Sequence, residues 1–273
     1  MKIIEKTLWK VFYFLLLIIF IKLISDSIGI RIEEKYPWFK LLFLGLPVIL
    51  LLLHSVLTLS FARAIFFIFL ASITGLIMEY IGLRDGTIFG GHYIYKPQLT
   101  IFNVPISVIF YWAVFIYTGY CLVNSFFYWL KLKKPNHQSG NLWLMLIAIL
   151  FDGLVVVAID LFMDPIAVRL GSWKWVEGGP YFGVPVGNFI GWFLVTIIVT
   201  GIFRSWEYFF PEKEKKYDKS VFIIPVLGYG SMSLSYTFMA IKFQMYDLAM
   251  LGSLFMLPQV ILNLFLFKKY KLK

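Results

Sequence analysis

The chain has 273 residues, 60% hydrophobic and 15% charged, where a soluble domain would carry about 45–50% apolar and 25% charged residues, so a soluble globular protein is excluded. Its formal net charge of +10 falls between and beside apolar runs rather than on one amphipathic face, which argues against a nucleic-acid-binding surface. One cysteine, Cys121, excludes a disulfide framework or thiolate metal cluster and reads as a small core side chain.

A helix that crosses a bilayer needs about 20 apolar residues, because its backbone polar groups find no partner in lipid. Eight runs qualify, at about 8 to 25, 40 to 59, 62 to 82, 105 to 130, 142 to 163, 186 to 206, 220 to 240 and 247 to 267. The first has the charged start of a signal peptide, but no small-residue cleavage site follows it, so it reads as a retained helix. Only Ser60, Phe61, Ala62 and Arg63 interrupt the second and third runs, which predicts a tight turn. The expected fold is an all-α polytopic transmembrane bundle, a single integral membrane domain over 1–273.

Lys and Arg concentrate on the cytoplasmic side of membrane helices. With the N-terminus inside, Lys2, Lys6, Lys10, Arg63, Lys131, Lys133, Lys134, Arg204, Lys213, Lys215, Lys216, Lys219, Lys268, Lys269, Lys271 and Lys273 fall on one side, 16 of the 25 cations. Both termini are therefore expected in the cytoplasm of a cell, with the long loops 83–104 and 164–185 at the outer face.

Those loops are related. A shift of 80 residues brings Gly91 onto Gly171, Tyr93 onto Trp173, Tyr95 onto Trp175, Phe102 onto Phe182, Val104 onto Val184, Pro105 onto Pro185 and Trp112 onto Trp192. The pattern predicts a parallel repeat with copies at about 62–130 and 142–210. A purely structural reading makes the prolines helix starts, Asp164 a helix-end cap and the aromatics an interfacial belt. It leaves the acids unexplained: a carboxylate inside a membrane helix costs about 2.5–3.5 kcal/mol on insertion scales. Glu79 and Asp160 sit near the ends of corresponding helices, Asp164 shares a face with Asp160, and Asp152 lies about two turns deeper.

Acids and aromatics around an apolar cavity suit protonation of an alkene, since π faces stabilise the carbocation and water can then add. Asn103 and Asn188, beside the two Val-Pro steps, offer amides that could position the water. The spacing of Asp160 and Asp164 also suits a Mg²⁺-dependent membrane prenyltransferase acting on a prenyl diphosphate, for which Glu79, Asp85 and Arg84 imitate a second cluster poorly. A lipid- or isoprenoid-binding or transport protein is the third alternative, weakened because the second, seventh and eighth runs are almost free of charge.

Asp160-Leu-Phe-Met-Asp164-Pro165, Gly171-Ser-Trp173-Lys-Trp175 and Tyr181-Phe-Gly-Val-Pro185-Val-Gly-Asn188-Phe-Ile-Gly-Trp192 resemble the membrane carotenoid biosynthesis protein family, which includes the carotenoid 1,2-hydratases. Phe89-Gly90-Gly-His92-Tyr93-Ile-Tyr95, Asn103-Val-Pro105 and Trp112 resemble its upstream motif, and the likeness covers roughly 70 to 265. The resemblance implies a hydro-lyase that needs no cofactor or metal. It would add water to the terminal isopropylidene bond of a long acyclic carotenoid and give a tertiary alcohol. Carotenoid, water and membrane lipid are then the partners, with no nucleic acid.

The expected catalytic residues are Asp160 and Glu79, as proton donor and water activator in either order, followed by Asp164. Trp173, Trp175, Tyr181, Asn188, Asn103, Tyr93, Trp112 and Trp192 are the expected substrate-binding wall. Asp85 reads as half of a solvated ion pair with Arg84, His92 as an ordinary loop histidine, and His54 as a buried hydrogen-bond partner.

Overall fold

A computed structural model describes residues 2–130, 142–212 and 217–271. Among them are eight helices long and apolar enough to cross a membrane: α1 (Lys2–Ser27), α3 (Pro37–Thr58), α4 (Phe61–Asp85), α5 (Ile106–Trp129), α6 (Leu142–Arg169), α7 (Val186–Phe209), α8 (Ile223–Lys242) and α9 (Tyr246–Lys271), with a short α2 (Ile32–Lys35) between the first two. A 3-10 turn, Lys219–Phe222, leads into α8. Large apolar side chains such as Leu150, Leu154, Leu194 and Ile198 remain exposed on the helices, as expected where lipid is the solvent. The protein is a polytopic membrane protein of the all-α class, with little sheet.

The turn between the second and third apolar runs is as tight as the sequence implies. Leu59 ends α3, and the Ser60 hydroxyl caps α4 by accepting the Arg63 amide at 3.3 Å. Several helices outrun their apolar stretches, and α6 is the consequential case. It continues past 163 through Asp164 and Pro165 to Arg169. Pro165 leaves one carbonyl of the preceding turn without its helical donor, but it does not end the helix. Asp164 is therefore an interior helical residue and not the helix-end cap of the purely structural reading.

Lys131, Lys133, Lys134, Lys213, Lys215, Lys216 and Lys273, part of the charge argument for orientation, lie outside the described residues. Arg63 and Arg204, counted with them, are buried. Neither is a solvated flanking charge.

One core cluster joins α4 to α9 around α5, and a smaller one joins α1, α3 and the start of α8. The two long loops meet at one end of the bundle. Strand β1 (Tyr93–Tyr95) pairs antiparallel with β4 (Trp173–Trp175), in the register Tyr93↔Trp175, Ile94↔Lys174 and Tyr95↔Trp173. The positions matched by the 80-residue shift thus lie on neighbouring strands, running in opposite directions.

Each Val-Pro step leaves a tight turn. Strands β2 (Thr100–Ile101) and β3 (Val104–Pro105) form a hairpin across Phe102 and Asn103, at φ 51° and 65°. Tyr181 bridges Val184 across Phe182 and Gly183, at φ 50° and 88°. Two successive positive φ values are what a tight hairpin turn of the I′ kind requires. Pro105 and Pro185 then serve as the N-caps of α5 and α7.

Candidate active site

Strand geometry sends alternate side chains to opposite faces. Ile94 and Lys174 are exposed, while Tyr93, Tyr95, Trp173 and Trp175 turn towards the bundle. These four rings pack in a row, Trp175 on Tyr93 at 4.8 Å, Tyr93 on Tyr95 at 5.5 Å and Tyr95 on Trp173 at 5.8 Å between centroids. Beneath them, the acids of α4 and α6 receive their polar edges.

Glu79 is only 5% exposed. Its Oε2 accepts the hydroxyls of Tyr93 at 2.6 Å and Tyr95 at 2.8 Å, and its Oε1 accepts the Trp112 indole N–H at 3.0 Å. Burial, then the carboxylate beside them, hold both phenols protonated well above their ordinary range, so they remain donors. Asp164 has a corresponding set: Trp173 donates to Oδ1, and Trp175 and Asn188 donate to Oδ2 at 3.3 and 3.0 Å. In each loop, both inward strand aromatics therefore donate to an acid on the helix that precedes the loop.

Asp160 differs. It is 0% exposed, its Oδ2 accepts the Asn188 amide at 2.7 Å, and its Oδ1 has no hydrogen-bond partner among the described residues. A buried polar atom left in this way calls for a reason. Asp160, Glu79 and Asp164 all line one cavity of about 190 Å³, with Tyr111, Phe115, Met163 and Tyr236 as part of its apolar wall. Trp112 and Trp192 lie on that wall with centroids 4.1 Å apart.

Close backbone contact fixes the loop against α7. Gly90 lies at φ +75°, and a Cβ there would stand 2.7 Å from the Gly187 Cα. His92 and Glu177 join the two loops above: the Glu177 carboxylate accepts the His92 amide at 3.0 Å and lies 3.1 Å from its ring nitrogen. Those bonds hold Glu177 below the usual carboxylate range.

The cavity thus gathers Glu79, Asp160, Asp164, Tyr93, Trp112, Trp173, Trp175, Asn188 and Trp192. Asn103 lies elsewhere, exposed at the tip of its hairpin because its positive φ is needed there. Tyr181 packs on Phe182 and Phe189 and does not line the cavity. Tyr95, absent from the expected wall, is a direct partner of Glu79; its match to Trp175 in the shifted alignment was the available signal. Tyr111, Phe115, Met163 and Tyr236 carry no such signal, being apolar or aromatic residues in apolar runs.

Asp152 serves a different cluster. Arg204 binds it through two bonds, Nε to Oδ2 at 2.6 Å and Nη2 to Oδ1 at 2.7 Å, and donates to Asn124 at 2.8 Å. The guanidinium lies over the Tyr120 ring, whose hydroxyl donates to Glu207 at 2.8 Å. The cluster ties α5, α6 and α7 together. Asp85 pairs with Arg84 at 2.7 Å on the surface, and His54 lies 2.8 Å from the Tyr117 hydroxyl, both in their expected roles.

Among the described residues, no Lys or Arg lines the acid-bearing cavity to receive a diphosphate. No three His, Cys, Asp or Glu among the described residues are arranged to hold a metal ion. Fold and site together define a polytopic membrane protein with carboxyls and aromatic donors around an apolar cavity. The chain belongs to the carotenoid biosynthesis protein family, whose model matches residues 37–258, and its role lies in carotenoid biosynthesis. No curated protein and no solved structure matches it.

Proposed function

We propose that the protein is a hydratase that adds water across the terminal isopropylidene C=C of an acyclic carotenoid. The observation that carries this reading is Asp160 Oδ1: among three buried acids on one cavity, it alone belongs to a carboxyl with an oxygen left without a donor. A carboxyl so placed, with no cation beside it, is suited to carry a transferable proton.

In the proposed reaction, Asp160 Oδ1–H gives its proton to the CH carbon of the double bond. The π pair becomes the new C–H bond, and the positive charge is left on the carbon that bears two methyl groups. The indole faces of Trp112 and Trp192 and the fixed carboxylate of Glu79 offset that charge. Three donors occupy Glu79, leaving one of about four acceptor directions for a water. That water's oxygen bonds to the cation, and its surplus proton returns to the Asp160 carboxylate. The net change is one water added and a tertiary alcohol formed. Asn188 bridges Asp160 and Asp164 and fixes the donor's orientation, and Trp173 and Trp175 hold Asp164. The proposal takes the face that carries the fewer Lys and Arg, the outer side of the membrane, as the place of this chemistry.

The described residues of the wall include no Lys or Arg, which favours an alkene over a prenyl diphosphate. The test is incubation of the purified protein with an acyclic carotene in the presence of a chelator. Formation of the tertiary alcohol is expected. Turnover only with Mg²⁺ and a prenyl diphosphate would replace this reading with prenyl transfer, and carotene binding without turnover would replace it with a carrier.

A further inference from the structure

A second cavity, of about 230 Å³, lies between α1, α3, α5 and α8. It shares Tyr111, Phe115 and Tyr236 with the acid-bearing cavity, so the two meet at an aromatic collar. Among the described residues, no charged one lines it. Of its hydroxyl-bearing residues, Thr118 donates to the Val114 carbonyl at 2.7 Å, Ser231 to Gly228 at 2.8 Å and Ser235 to Ser231 at 2.8 Å, each within its own helix, and Tyr229 donates to the Val155 carbonyl at 3.1 Å. His54, at the wall, is held by Tyr117 and the Val221 carbonyl. The lumen thus offers few free hydrogen bonds, which suits an occupant that makes none.

The combined space is elongated. On α5 the two linings run from Ser107 to Thr118, about 16 Å at 1.5 Å per residue. On α8 they run from Ile224 to Tyr236, about 18 Å by the same rise. Helix α1, outside the residues that the family model matches, supplies Phe12, Leu15 and Ile19 to the far part.

We propose that the two cavities form one channel and that the second receives the conjugated chain of the substrate whose end reaches Asp160. This inference rests on the hydration reading for the identity of that end. The rings of Tyr111, Phe115 and Tyr236 stack along the polyene as it passes, so the channel selects for length and conjugation while the acids act only on the terminus.

Filling the far cavity tests it. A Cβ on Gly228 would meet only Phe12, at 4.0 Å, so Gly228→Phe adds its ring to the lumen, and Ser231→Phe does so one turn on. Gly201→Phe, where a Cβ meets nothing within 4 Å and which lines neither cavity, controls for bulk. Purified wild-type and variant proteins, checked by thermal unfolding, are mixed with an acyclic carotene, and the shift and induced circular dichroism of its visible band are recorded. Hydration of that carotene is compared with hydration of a short isoprenoid bearing the same terminal group. The expected result is loss of the band shift in both filled variants, with the ratio of kcat/KM for long over short substrate falling at least about tenfold, and neither change in Gly201→Phe. Two filled variants keep the test open if one fails to fold. A wild-type band shift and ratio in a folded filled variant would overturn the channel. Carotene binding that depends on Gly228, without hydration of either substrate by the wild type, would keep the channel and overturn the hydration reading.

Discussion

Asp160→Asn keeps the shape of the side chain and removes its proton. The Asn188 amide at 2.7 Å from Oδ2 can still donate to the new side-chain oxygen, and the new NH₂ takes the place of Oδ1, which has no partner to lose. The variant should therefore fold with near wild-type stability. A positioned general acid contributes about 10²–10⁴ in rate, which corresponds to about 3–5 kcal/mol of transition-state stabilisation. Initial rates of tertiary alcohol formation, followed by chromatography of the pigments, should fall by that factor with the polyene band shift of bound carotene unchanged. Full hydration activity in Asp160→Asn would refute the reasoning, since among the described residues no other carboxyl on the cavity has an oxygen free of donors.

Asp152→Ala leaves Arg204 buried without its bidentate partner, and thermal or denaturant unfolding should show a loss of about 3–5 kcal/mol; replacing Arg204 by Met in the same chain should recover part of it. Gly90→Ala forces a Cβ into the Gly187 backbone at positive φ, so a loss of about 1–3 kcal/mol is expected, visible as a lower unfolding temperature and faster proteolysis of the loop. Trp173→Phe removes a donor to Asp164 while keeping an aromatic side chain, and should cost about 1–3 kcal/mol of stability from the unsatisfied acceptor, read as a lower unfolding temperature, with a drop in kcat larger than any change in carotene binding. Glu177 is held below the usual carboxylate range by His92. The clamp is therefore intact above the ordinary Glu pKa and is lost as pH falls through the lowered value. Proteolysis between the two loops should accelerate below that pH in the wild type, whereas Glu177→Gln should lack this step.

The eight spans were legible because a bilayer forces each to be a long apolar run, a property of local composition. Their ends were not, since capping and tertiary packing set them: α6 passes through Asp164-Pro165, where a local reading stops. The aromatics of the two loops stood out because their alternation at 93, 95, 173 and 175 survives the 80-residue shift. Their antiparallel pairing and their donation to Glu79 and Asp164 join residues up to 82 apart, as in Tyr93↔Trp175, and no local pattern encodes that. Arg204 sits at the end of an apolar run and so imitates a flanking charge; its partner Asp152 is 52 residues away. Asn103 looked like Asn188 from its place beside a Val-Pro step, but the turn requires it at positive φ, and that turns it from the cavity.

The central claim is that water adds at the terminal double bond beside Asp160. It is tested most directly by incubating the wild-type protein with an acyclic carotene in water enriched in ¹⁸O and measuring the mass of the product. The account predicts a tertiary alcohol that carries one heavy oxygen for each hydrated end, formed in the presence of a chelator. An alcohol without the heavy oxygen, or an unchanged carotene in a protein that binds it, would contradict the account.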